Sequence, residues 1–238
     1  MCGILGYVLR PGAPPVPRPA LEAARDRMTA RGPDDAGLAQ IEQGRVGLAH
    51  RRLSIQDLSP AGRQPMEHPE RPLWITYNGE VYNFLALREE MAARGARFRS
   101  RTDTEVVLRL YAEMGDDLVA ALRGMFAFGI WYGEARRLLL VRDRVGKKPL
   151  YYAETERGLA FASTIPALLG LGWVDPELHE ECLPEYLALG RVGAPDTLLR
   201  GVRKLPPGHL LAYGDGAAVG RRYDDPRFAE APGGGRGP

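Results

Sequence analysis

In Cys2-Gly3-Ile4-Leu5-Gly6-Tyr7-Val8-Leu9, residues 3–9 read as a β-strand with a cysteine immediately before it. A proline-rich loop follows over 11–19, and then residues 20–30 place Leu21, Ala24 and Met28 on one helical face. Arg31-Gly32-Pro33-Asp34-Asp35 breaks that helix. Two short strands are expected near 36–41 and 45–50, and an irregular segment over 53–69. A strand over 73–77 runs directly into Asn78-Gly79. The spacing predicts a helix over 83–94, with Phe84, Leu87 and Met91 inward, and another over 103–114, with Val106, Val107, Leu110 and Met114 inward. Thr102 suits the cap of the second helix, and Asp103 its first turn, where negative charge is favoured. Strands recur at 125–132, 137–142, 150–153 and 158–162, a helix is expected near 177–189, and the last strand at 208–213. Strands outnumber helices, and both come in runs. The pattern is that of an α+β protein with largely antiparallel sheets.

The 238 residues suffice for one large domain. Apolar residues make up 45% and charged residues 26%, an ordinary globular balance, and a net charge of +2 gives no reason to expect a nucleic-acid partner. No stretch approaches the ~18 apolar residues of a membrane helix, and the apolar run 4–9 is too short for a signal peptide and has no basic segment before it. A cytoplasmic location is expected. The two cysteines, Cys2 and Cys182, are in that setting more often free thiols than a disulfide. The four histidines (50, 68, 179, 209) are scattered without metal-ligand spacing, so no metal site is expected. The tail from Ala231 to Pro238 has the composition of a disordered segment.

A cysteine at position 2 has a particular chemistry. Removal of Met1 leaves a thiol and a free α-amine on one residue. An α-amine has a reference pKa of about 7.7–8.0, close to what a general base needs at neutral pH. A single residue then supplies both nucleophile and base. Taken alone, the position fits an ordinary buried thiol at a strand start better.

The surrounding motifs decide between these readings. Met1-Cys2-Gly3-Ile4-Leu5-Gly6 is followed by Arg31-Gly32-Pro33-Asp34, then Leu48-Ala49-His50-Arg51-Arg52-Leu53-Ser54-Ile55, Gln64-Pro65-Met66 and Tyr77-Asn78-Gly79-Glu80-Val81-Tyr82-Asn83. Thr102-Asp103-Thr104-Glu105-Val106, Gly124-Met125-Phe126-Ala127-Phe128 and the run Arg142-Asp143-Arg144-Val145-Gly146-Lys147-Lys148-Pro149-Leu150-Tyr151-Tyr152 complete the series. In order and spacing these resemble the glutaminase domain of glutamine-hydrolysing asparagine synthetases, class II glutamine amidotransferases of the N-terminal-nucleophile (Ntn) hydrolase type. The resemblance covers about residues 2–213 and leaves 214–238 as linker and tail.

The resemblance implies a four-layer αββα sandwich. It implies that Cys2 attacks the carboxamide of L-glutamine, with Asn78 and Gly79 as the oxyanion hole. Asn-Gly after a strand is otherwise a common hairpin signal. Arg52 would hold the substrate α-carboxylate, since a guanidinium fork fits a carboxylate; its neighbour Arg51 leaves open which arginine points inward. Leu53, Ser54, Ile55 and Gln56 would line the substrate, and Glu80 and Asp103 would face its α-ammonium. Arg142, Asp143 and Gly146 read as structural. Relatives of this kind amidate aspartate in a second, ATP- and Mg-dependent synthetase domain, whose Ser-Gly-Gly-x-Asp-Ser loop is missing here. No cofactor is therefore expected in this chain, and the implied partner is an ATP-binding synthetase domain or subunit. A homodimer is compatible with the family. The alternatives are a non-catalytic module or a natural-product amidotransferase subunit with the same fold.

Overall fold

A computed structural model describes residues 1–225. The tail over 231–238 lies outside the described residues.

Two six-stranded antiparallel sheets face each other. The first contains β1 (Gly3–Leu9), β2 (Asp35–Ile41), β3 (Val46–Arg52), β8 (Tyr151–Thr155), β9 (Gly158–Ala162) and β10 (Arg203–Lys204), in the order β10-β8-β9-β1-β3-β2. The second contains β4 (Met66–Glu67), β5 (Leu73–Val81), β6 (Gly124–Tyr132), β7 (Arg137–Arg142), β11 (His209–Gly214) and β12 (Ala217–Arg222), in the order β12-β11-β7-β6-β5-β4.

Alternation along the central strands builds the layers. In β1, Leu5, Tyr7 and Leu9 pack on Leu21 and Ala24 of α1 (Arg18–Asp26) and on Ala167 and Leu168 of α5 (Ile165–Leu169). Ile4 and Val8 point the other way, into the core between the sheets, where they meet Trp131, Leu140 and Phe161. Burying each such side chain is worth about 1.5–3 kcal/mol. On the outer face of the second sheet, Ile75, Tyr77, Phe126 and Phe128 pack against Met91 of α2 (Phe84–Ala93), Val106, Val107 and Leu110 of α3 (Asp103–Met114), and Leu118 of α4 (Leu118–Ala121). The result is the expected αββα sandwich. No helix among the described residues is long and apolar enough to cross a membrane.

Several local expectations change. Met114 is exposed, because it falls on the last turn of α3, beyond the sheet it was expected to cover. The helix expected over 177–189 starts later: a 3-10 turn at Glu180–Cys182 leads into α6 (Leu183–Leu189), with Pro184 in its first turn. The strand expected over 73–77 runs on through Asn78 and Gly79 to Val81, so the pair forms no hairpin turn. The sheet also does not end at Tyr213. Asp215 and Gly216, both at positive φ, form a two-residue turn that pairs β12 with β11. Asp-Gly is a strong hairpin signal, and here it adds a sixth strand.

Candidate active site

The site forms where the sheets are stitched at one end. His50 Nε2 donates to the Tyr77 carbonyl at 3.1 Å, and the Thr76 hydroxyl donates to the Ala49 carbonyl at 3.1 Å. Both bonds cross from β3 to β5. Burial pushes the His50 pKa down to about 4, so the ring is neutral. At this end, Cys2 heads β1 and lies in a cavity of about 240 Å³ that Arg52, Leu53, Ile55, Gln56, Asn78, Gly79, Glu80 and Asp103 also line.

The Arg31–Asp34 turn holds the parts in place. Arg31 Nε donates to the Cys2 carbonyl at 3.1 Å, and Asp34 Oδ2 accepts the Ser54 N–H at 2.7 Å. The latter bond holds the Ser54 main chain, and Ser54, contrary to expectation, does not line the cavity with Leu53, Ile55 and Gln56. Ile55 is 75% exposed, so its packing surface is open.

Cys2 is half-buried, and its Sγ accepts the Leu53 N–H at 3.4 Å. Burial raises the thiol pKa above its ordinary value, opposed by that N–H, by the chain's N-terminal ammonium and by Arg52. The resting sulfur is therefore a thiol, which needs a base before it can attack.

The edge of β5 supplies the donors. β4 pairs with β5 only at Ile75 and Trp74, which leaves the rest of this edge without a strand. Phe126, opposite Gly79, makes its main-chain bonds with Asp143 on the other side: Phe126 N–H to Asp143 Oδ2 at 3.2 Å, and Asp143 N–H to the Phe126 carbonyl at 2.8 Å. Antiparallel alternation then turns the N–H groups of Tyr77, Gly79 and Val81 toward the open edge. Tyr77 N–H finds Gln64 Oε1 at 2.6 Å and Val81 N–H finds Asp103 Oδ2 at 3.0 Å. Between them, the Gly79 N–H faces the cavity with no side-chain acceptor among the described residues. Asn78, 1% exposed, presents a buried Nδ2 that has no hydrogen-bond partner there either. Two unpaired donors side by side can receive a developing negative oxygen. Gly79 has no alternative at its position, because a Cβ would lie 2.5 Å from the Met125 carbonyl oxygen.

The charged residues have duties in the frame as well. Arg52, 6% exposed, donates to the carbonyls of Ser59 and Gln56, each at 3.2 Å, and to that of Asp57. Its Nε–H and one Nη1–H remain uncommitted. Arg51 points away from the cavity, donating to the Gly32 carbonyl at 2.8 Å and pairing with Asp26. Asp103 Oδ2 accepts the Tyr77 hydroxyl at 2.6 Å in addition to Val81 N–H; burial raises its pKa, and these bonds counter the rise. Glu80 lines the cavity, and its carboxylate has no hydrogen-bond or ion-pair partner among the described residues. Arg142 and Asp143 build the frame: Arg142 donates to three carbonyls, and Asp143, fully buried, collects the N–H groups of Phe126, Val145, Lys147 and Lys148.

Gln64, Thr104, Met125 and Lys148 also line the cavity, and the sequence reading gave none of them a role. Gln64 binds both Tyr77 and the Thr104 hydroxyl, at 2.6 and 3.2 Å, and so bridges β5 and α3. The only signal for it was its place in a quoted motif. Among the described residues, no group of three or more His, Cys, Asp or Glu is placed to hold a metal ion.

Residues 1–224 match the model of the glutamine amidotransferase domain family. The chain is 38% identical over 210 residues to asparagine synthetase (glutamine-hydrolyzing) 1 of Bacillus subtilis, a match that covers 87% of this chain and 33% of that protein. It is 35% identical over 220 residues to amidase chry2 of Gibberella zeae, covering 89% of this chain and 32% of the relative. Glutamine PRPP amidotransferase from B. subtilis shares the fold, with a TM-score of 0.68 at 19% identity over 94% of this chain and 49% of that one. The chain spans about a third of the length of these curated relatives.

Proposed function

The chain belongs to the glutamine amidotransferase domain family, and from that premise we propose that it hydrolyses L-glutamine to glutamate and ammonia through Cys2. The observation that carries this reading is the pair of unpaired donors, Asn78 Nδ2 and Gly79 N–H, in the wall of the cavity that holds the Cys2 thiol.

The mechanism follows from the site. Once Met1 is removed, the α-amine belongs to Cys2 itself and takes the thiol proton, directly or through a water. The sulfur adds to the carboxamide carbon, and the oxyanion settles on Asn78 and Gly79. The tetrahedral adduct collapses, the amide nitrogen leaves as ammonia with the returned proton, and a γ-glutamyl thioester remains. Water adds to the thioester, giving glutamate and restoring the thiol. The free N–H groups of Arg52 suit the substrate α-carboxylate, and Glu80 with Asp103 suits its α-ammonium. Leu53, Ile55 and Gln56 would line the stem.

The ammonia would go to an ATP-dependent synthetase domain or subunit that amidates aspartate, in keeping with the names and greater length of the B. subtilis relatives. ATP and Mg would belong there. A second reading of the acceptor rests on the fungal amidases, which match this chain at 34–35% identity; it keeps the glutamine chemistry and changes only the molecule amidated. Glutamate release by the purified chain tests the proposal. Cys2→Ala should reduce it to background with the fold intact; hydrolysis retained in that variant contradicts it.

A further inference from the structure

We propose that the opposite end of the sandwich carries a second binding site, for a small polyvalent oxyanion such as a phosphorylated or polycarboxylate metabolite. The seven residues of β1 separate this end from Cys2 by roughly 23 Å. There the core between the sheets opens into a cavity of about 810 Å³, bounded by the exit of β1 and by the β2–β3, β6–β7 and β11–β12 turns.

Its walls hold hydrogen-bond donors without acceptors. Four buried side-chain polar atoms on residues lining this cavity make no well-directed bond among the described residues: Arg10 Nε, Arg45 Nε, Trp131 Nε1 and the Tyr213 hydroxyl. Arg10 lies close enough to Tyr213 for the phenol oxygen to serve its guanidinium, which leaves Arg45 Nε, Trp131 Nε1 and the Tyr213 O–H proton without an acceptor. Trp131 and Tyr213 are each 2% exposed. Arg45 Nε and Trp131 Nε1 can only donate, and the Tyr213 hydroxyl keeps its proton to donate. Buried polar groups are normally satisfied, so three free donors around one cavity mark a place short of acceptors.

The charges point the same way. Arg10 pairs with Glu154 at 3.2 Å and Arg136 with Glu42 at 3.7 Å. Arg45 has no carboxylate partner among the described residues; its Nη2 reaches only the Leu9 carbonyl, at 3.5 Å. Asp215 also lines the cavity, but on an exposed turn where water screens it. An unpaired guanidinium beside indole and phenol donors matches phosphoryl or carboxylate oxygens, which accept from several donors at once. The volume admits more than a single inorganic ion. None of these residues belongs to the Cys2 cavity, so the site stands or falls independently of the glutaminase reading.

Titration of the full chain with pyrophosphate and with citrate, at constant ionic strength, tests the proposal by calorimetry and tryptophan fluorescence. At least one probe should bind saturably; the one that binds assigns the ligand to the phosphoryl or the carboxylate class. Arg45→Gln should weaken that binding about tenfold, and Trp131→Phe, which keeps the ring but removes the N–H, should weaken it less. Neither change should alter glutamine hydrolysis without the probe. No saturable binding of either probe at millimolar concentrations overturns the site. So does equal affinity in wild type and in both folded variants.

Discussion

The two halves of β5 have the same strand geometry and different fates. From Leu73 to Thr76 the strand runs between β6 and, at Trp74 and Ile75, β4. From Tyr77 to Val81 it keeps β6 and has no strand on its other edge. The first half is plain sheet. In the second, side chains from other elements take up the exposed N–H groups on either side of Gly79 and leave the one between them to the cavity. Unpaired strand edges are usually covered or blunted. Here one edge is covered everywhere except at the position where the proposed chemistry needs a donor.

That contrast can be broken at several points. The largest effect is expected from Asn78→Ala, which removes a donor that has no partner among the described residues. Loss of one oxyanion donor lowers kcat about 10²–10³-fold, while the melting temperature should hold or rise, because no folded-state hydrogen bond is lost. A large fall in melting temperature would instead make Asn78 a structural residue. Gly79→Ala reverses this signature. Its Cβ would press on the Met125 carbonyl oxygen at 2.5 Å, and overpacking of this kind costs about 1–3 kcal/mol, readable by urea denaturation.

Gln64→Leu tests the flanking pairs. It strands the buried Tyr77 N–H and releases Thr104, a loss of about 1–3 kcal/mol, with KM for glutamine raised more than kcat is lowered. The smallest effect concerns the stitch between the sheets. His50 stays neutral in the fold down to about pH 4, whereas an unfolded histidine protonates from about pH 6.5. The unfolded state therefore binds more protons between those values, and stability must fall as the pH drops through this window. Between pH 7 and 5.5 the loss is about 1 kcal/mol. Comparison of denaturation curves for wild type and His50→Gln should show the pH dependence flattened in the variant.

The sequence made some of this legible and hid the rest. α3 was visible from its cap and its apolar spacing, and the long strands β1, β6 and β7 from their apolar runs. β4 and β10 have two residues each and carry no pattern of their own; they are strands only because a longer neighbour pairs with them. β12 was announced by Asp215-Gly216, but its largely exposed, arginine-rich composition concealed it. At the site, Cys2, Arg52, Asn78, Gly79 and Asp103 come together in one cavity as the motif resemblance implied. Residue type alone could not have grouped them, since they come from the residue before β1 and from β3, β5 and α3. Ser54 is the one member of the 53–56 run that does not line the cavity; its main-chain N–H is held by Asp34 instead. Gln64 escaped because its task, satisfying the main chain of another strand, leaves no trace in local sequence.

The central claim is that Cys2, freed of Met1, forms the covalent intermediate. Intact-protein and peptide mass spectrometry on acid-quenched samples taken during glutamine turnover tests it most directly. A mature chain beginning at Cys2 is expected, with a γ-glutamyl adduct on that residue that disappears in Cys2→Ala. Turnover with Met1 still in place, or an adduct on any other residue, would contradict it.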